Sequence, residues 1–145
     1  MTCNNRRRIV GGLLGAGLMS MLNGCAAAGA NAKVRHGLEI EVHKSVGEAK
    51  NIRYTYGDEL VAQVRPSAIA IGAFMSYIAP MHIPEEFEIS WETQDGKKHE
   101  AKVPVRSRLP GSVENKTIVF VIMSDHVEGY VAASTPYGEK RERFY

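Results

Sequence analysis

Alternation constrains this chain most. Phe87, Ile89 and Trp91 are separated by Glu88 and Ser90 and followed by Glu92, so apolar and polar residues fall on opposite sides of an extended segment. Asp95-Gly96 then supplies a strong hairpin turn. The return strand, Lys98 to Val105, puts His99, Ala101, Val103 and Val105 on one face, and Pro104 marks an edge or the end of pairing. No helical period competes with this pattern, so the chain has to bury a set of half-apolar strands against one another.

The pattern recurs. Val34, Leu38, Ile40 and Val42 alternate with Glu39, Glu41 and His43, and Ile52, Tyr54 and Tyr56 repeat it before a Gly57-Asp58 turn. Leu60 to Val64 is a short strand ended by Pro66, and the apolar run Ala68 to Tyr77 is a strand by length and isoleucine content, with a short buried helix as the alternative. Ser76 to Glu86 keeps Tyr77, Ile78, Met81 and Ile83, but Pro80 and Pro84 make it a poor strand, so an apolar loop is expected. Lys116 to Met123 and Val127 to Ala133 form a second hairpin about Ser124-Asp125-His126, and Arg106 to Asn115 is a polar loop between the hairpins. Lys140 to Tyr145 is a last short strand. Short strands separated by turn signals predict an all-β, single-domain antiparallel β-sandwich over 34–145, with a small barrel as the alternative.

Ahead of this domain stands a different kind of segment. Arg6-Arg7-Arg8 precedes an apolar stretch from Ile9 to Leu22 that is 14 residues long with four glycines inside it. A membrane span needs roughly 20 apolar residues. The order of basic run, short apolar run and small residue is that of a cleavable export signal. Leu22-Asn23-Gly24-Cys25 resembles the lipobox of bacterial lipoprotein signal peptides. That resemblance implies cleavage after Gly24, a diacylglycerol on the Cys25 thiol and acylation of the new amino terminus. Residues 1–24 are then a discarded leader, and 25–33 a lipidated cysteine with a small, flexible tether. Ala26 at the next position resembles an outer-membrane sorting signal, which implies a periplasmic protein held on the inner leaflet of that membrane. The export route, general or twin-arginine, stays open.

Processing changes the composition. The three arginines are the leader's only charges, so the formal net charge of +2 becomes −1. No basic patch then argues for nucleic acid. Of the two cysteines, Cys3 leaves with the leader and Cys25 is modified. Neither a disulfide nor a thiol nucleophile remains, and the core has to carry stability by itself.

Familiar catalytic signatures are missing from the chain. It has no Gly-x-Ser-x-Gly, no His-Glu-x-x-His and no glycine-rich nucleotide loop, and its five histidines are dispersed at 36, 43, 82, 99 and 126. Ser124-Asp125-His126 are neighbours in a tight turn, where triad members cannot converge. Glu85, Glu86 and Glu88 are read as exposed carboxylates rather than a catalytic pair. The expectation is no enzyme, no metal, no cofactor and no small-molecule substrate.

The run Ile83-Pro84, Phe87-x-Ile89-x-Trp91, Asp95-Gly96-Lys97-Lys98-His99 and Val103-Pro104-Val105 resembles small bacterial lipoproteins. Some of these lie beside antibacterial effectors of the type VI secretion system, phospholipases among them, and act as immunity proteins. The resemblance implies a protein that binds and blocks a secreted effector at the membrane. It transfers no binding residue. The sequence itself points to the apolar loop, through Tyr77, Met81, Ile83, Glu85 and Glu86, and to Arg106 and Arg108 of the polar loop, because interfaces set aromatic and Met anchors inside a polar rim. A structural or assembly lipoprotein of an envelope complex is the alternative. Inhibitors of the lysozyme type rely on cysteine pairs that the processed chain lacks.

Overall fold

The computed structural model describes residues 32–65, 69–70 and 74–145. The leader, Cys25 and most of the tether lie outside the described residues. Asn31–Tyr145 forms a compact unit of its own.

Ten strands are described: β1 Val34–Val42, β2 Glu48–Tyr56, β3 Leu60–Arg65, β4 Ile69–Ala70, β5 Phe74–Met81, β6 Glu86–Thr93, β7 Lys98–Pro104, β8 Thr117–Ile122, β9 Val127–Thr135 and β10 Gly138–Arg143. One sheet runs β10-β9-β8-β1-β5, and the other β3-β2-β6-β7 with β4 also paired to β2. Their apolar faces meet, and the all-β sandwich read from the alternation is what forms. It is not wholly antiparallel. β1 and β8 pair in parallel, Leu38 opposite Ile118 and Ile40 opposite Phe120. These strands are remote in sequence, and no hairpin imposes a direction on them.

The interior follows the period-two pattern. Phe87 of β6 and Phe120 of β8 stack across the sandwich with ring centroids 3.8 Å apart and planes 6° from parallel. Trp91, Tyr56, Ile40, Ile52, Ile118 and Val103 surround them, all nearly inaccessible to solvent. Among the described residues His36 is the one polar side chain in the buried set. Its Nδ1 lies 2.8 Å from the Val34 carbonyl and its Nε2 2.8 Å from the Tyr56 hydroxyl. A carbonyl only accepts, so Nδ1 carries the proton and Nε2 accepts from the tyrosine. The pair ties one sheet to the other.

Turn chemistry explains the connections. At the β6–β7 hairpin the Gly96 amide donates to the Thr93 carbonyl at 2.8 Å, and Gly96 takes φ +82°, open to glycine at little cost. A bulge between Lys50 and Arg53 of β2, with Asn51 at φ +49°, shifts the alternation by one residue, so that Ala49 and Ile52, three apart, are both buried.

One expectation is corrected. Tyr77 and Met81 belong to a strand, β5, which extends through Pro80. Pro80 is tolerated because β5 is the last strand of its sheet, where a missing N–H need not disturb a ladder. The loop is confined to residues 82–85. Within the strand expected over Ala68 to Tyr77, Ile69–Ala70 form β4 and Phe74 to Tyr77 begin β5, which runs on to Met81.

Candidate protein-binding surface

The structure separates the residues singled out in the sequence. Met81 is 1 % exposed and belongs to the core, so it offers nothing to a partner. Its position follows from β5, where it lies opposite Val34. Ile83 is half-buried and packs on the core. Tyr77, by contrast, is 47 % exposed, and its neighbour Ile78, on the other face of β5, is 61 % exposed. Sequence reasoning left Ile78 out of the interface. The missing information was that β5 is the last strand of its sheet among the described residues.

Glu85, Ile83 and Arg106 are brought together. Arg106 Nη1 meets Glu85 Oε1 at 2.6 Å, its Nε donates to the Ile83 carbonyl at 3.1 Å, and Nη2 donates to the same oxygen. The Val105 amide adds a bond to the Glu85 carbonyl at 2.8 Å. An exposed ion pair contributes little stability, roughly 0–1 kcal/mol. Three contacts from one planar guanidinium nevertheless fix the path of the 82–85 loop. Glu86 and Arg108 are exposed nearby in sequence, at the start of β6 and just past β7. The two loops expected to act together therefore share one anchor, Arg106.

This is also the end at which the chain runs into β1. Lys33 Nζ lies 2.8 Å from Glu59, whose carboxylate also meets His82 Nδ1 at 3.0 Å. The Lys33 bond is the largest influence holding the Glu59 carboxyl below its usual range. Gly57, at φ +54° in the β2–β3 turn, packs against Pro84 and completes the cluster.

Beside β5 the sandwich is open. A cleft of about 400 Å³ lies between the edges of β5 and β3, lined by Leu38 and Ile40 of β1, Tyr54 of β2, Leu60, Gln63 and Arg65 of β3, and Met75, Ser76 and Tyr77 of β5. Val61 of β3, 59 % exposed, stands on the same edge strand. The opposite end of the sandwich carries the Ser124–His126 turn. There the His126 nitrogens face Asp125 at 2.7 Å and Glu128 at 3.8 Å rather than Ser124, consistent with a turn and not a triad.

The chain matches no protein-family model and no curated protein. A protein from Eubacterium rectale solved by NMR is similar over 74% of this chain and 94% of its own, at 14% identity and a TM-score of 0.45. A likeness at that level assigns no activity.

Proposed function

We propose that the protein is a lipid-anchored periplasmic immunity protein that binds a type VI secreted antibacterial effector, a phospholipase, and covers its substrate entrance. One observation carries the protein-binding part of this reading. Tyr77 and Ile78 stand exposed on an edge strand that contains no charged residue. Edge strands are ordinarily protected by charge. β10 carries Glu139, Lys140, Arg141, Glu142 and Arg143, β7 carries Lys98, Glu100 and Lys102, and β3 ends in Arg65. An uncharged edge with an aromatic and an aliphatic side chain in solvent suits a partner better than it suits water.

The anchor supports the same reading. Seven residues lie between Cys25 and Lys33, a reach of at most about 30 Å. Lys33 enters at the end that holds the 82–85 loop and Arg106. An inhibitor tethered in this way presents that end within reach of the lipid surface, where a lipase has to work, and its effective concentration rises without new contacts. No chemistry is required of it.

The test is co-purification from envelopes of cells that express the secreted effector encoded beside this protein. Capture of a phospholipase, with its activity lost on adding the bait, supports the reading. Replacing Tyr77 and Ile78 together by alanine is expected to weaken capture by about tenfold or more, as for exposed aromatic anchors elsewhere, with the fold unchanged. Glu86→Lys is a cleaner charge test than Glu85→Lys, because Glu85 also holds Arg106. Capture of resident envelope subunits and no effector would move the assignment to an assembly lipoprotein.

A further inference from the structure

We infer that the partner is held by strand addition: an extended segment of the effector pairs with the free edge of β5 and inserts apolar side chains into the cleft between β5 and β3. The inference rests on the proposed function and names how that partner is bound. β5 pairs with β1 on one side only, from Val34 opposite Met81 to Glu41 opposite Phe74. Among the described residues no strand pairs with its other side. Alternate N–H and C=O groups of β5 therefore point outward as a template for another backbone.

The cleft suits a strand in that position. A strand added to β5 would extend the β1-containing sheet and send every second side chain toward the interior. It would find Leu38, Ile40, Met75 and Tyr77 on one wall and Tyr54 and Leu60 on the other. Arg65 stands at the rim, exposed and without an ion pair among the described residues. These features define the segment: extended, without proline at the paired positions, apolar at alternate residues, and acidic where it passes Arg65. The 82–85 loop, held by Arg106, continues directly from β5 and would flank one end of the added strand.

Amide hydrogen exchange on the purified complex with the neighbouring effector tests this against the free protein. Alternate amides between Phe74 and Ala79 are expected to slow by at least about tenfold when the effector is bound, and Arg65→Glu to weaken binding by about tenfold. Binding with β5 exchange unchanged, and protection confined to residues 82–86 or 106–115, would overturn strand addition and leave the immunity reading intact. Failure of the effector to bind at all removes the reading, and this inference with it. Unchanged affinity in Arg65→Glu, with β5 protected, strikes the acidic residue from the description of the segment.

Discussion

Glu39 and Glu41 lie two apart on the outer face of β1, and Arg141 reaches them from β10. Arg141 takes both oxygens of Glu41, at 2.5 and 2.8 Å, and Glu139 at 2.6 Å. Glu41 is held below its usual range, chiefly by that bond, while Glu39 is pushed up to about 7 by burial and then by the hydrogen bond and charge of Glu41. An unfolded glutamate titrates near ~4.3. Between there and about 7 the folded chain keeps a proton on Glu39 that the unfolded chain has lost, so this group's contribution to stability falls as pH rises through that window. Glu39→Gln is expected to leave the urea midpoint near pH 4.5 almost unchanged and to raise it at pH 8. A midpoint that shifts equally at both values would show that Glu39 is ionised in the fold. His36 acts in the opposite sense. Burial lowers its pKa, so it contributes stability at neutral pH that is lost as pH falls below about 6.5. The alternation placed Glu39 and Glu41 on one face, but Arg141 is 100 residues away from Glu41 and nothing in the chain announces the pairing.

At the scale of elements, β5 is where sequence and structure part. Two prolines argued for a loop between Ser76 and Glu86, and the argument holds for the interior of a sheet. It fails at an edge, and whether a strand is an edge depends on non-local pairing that residue pattern does not encode. The consequence separates residues that looked alike. Met81→Ala removes a buried side chain and is expected to cost about 2–5 kcal/mol, whereas Ile78→Ala, in solvent, is expected to stay within about 0.5 kcal/mol. Chemical denaturation distinguishes them, and only the second is a clean probe of binding. β9 and β10 supply a further case. A Cβ on Gly129 would stand 2.7 Å from Phe144 Cζ and 3.0 Å from Cε2. That ring packs edge-on to Phe120, with centroids 6.2 Å apart, and moving it aside gives up that contact. Gly129→Ala is expected to cost roughly 1–3 kcal/mol, and Phe144→Leu in the same chain to recover part of it. Gly129 follows Glu128 in a segment that reads simply as the return of a hairpin, so its role was legible only once the C-terminal residues were placed over it.

For the whole molecule, the sandwich was legible because each hairpin declares itself locally through Asp95-Gly96, Gly57-Asp58 and the Ser124–His126 turn. The parallel contact of β1 with β8 and the cleft at the β5 and β3 edges were not, since both arise from how distant strands order themselves. That ordering brings Lys33, just before β1, the 82–85 loop and Arg106 to one end of the domain. In the proposed function this placement makes the anchor part of the inhibitor's potency rather than part of its affinity. The two can be separated. Replacing residues 1–25 by a leader that is cleaved without lipidation is expected to move the protein from the membrane to the soluble envelope fraction, while its affinity for the effector in solution stays the same within about twofold, because no contact of 32–145 is altered. Protection of cells against the effector should nevertheless fall, and should return when the variant is overexpressed, since added concentration replaces confinement to the lipid surface. Equal protection at equal expression would show that the effector is met away from the membrane, and the tether would then serve export alone.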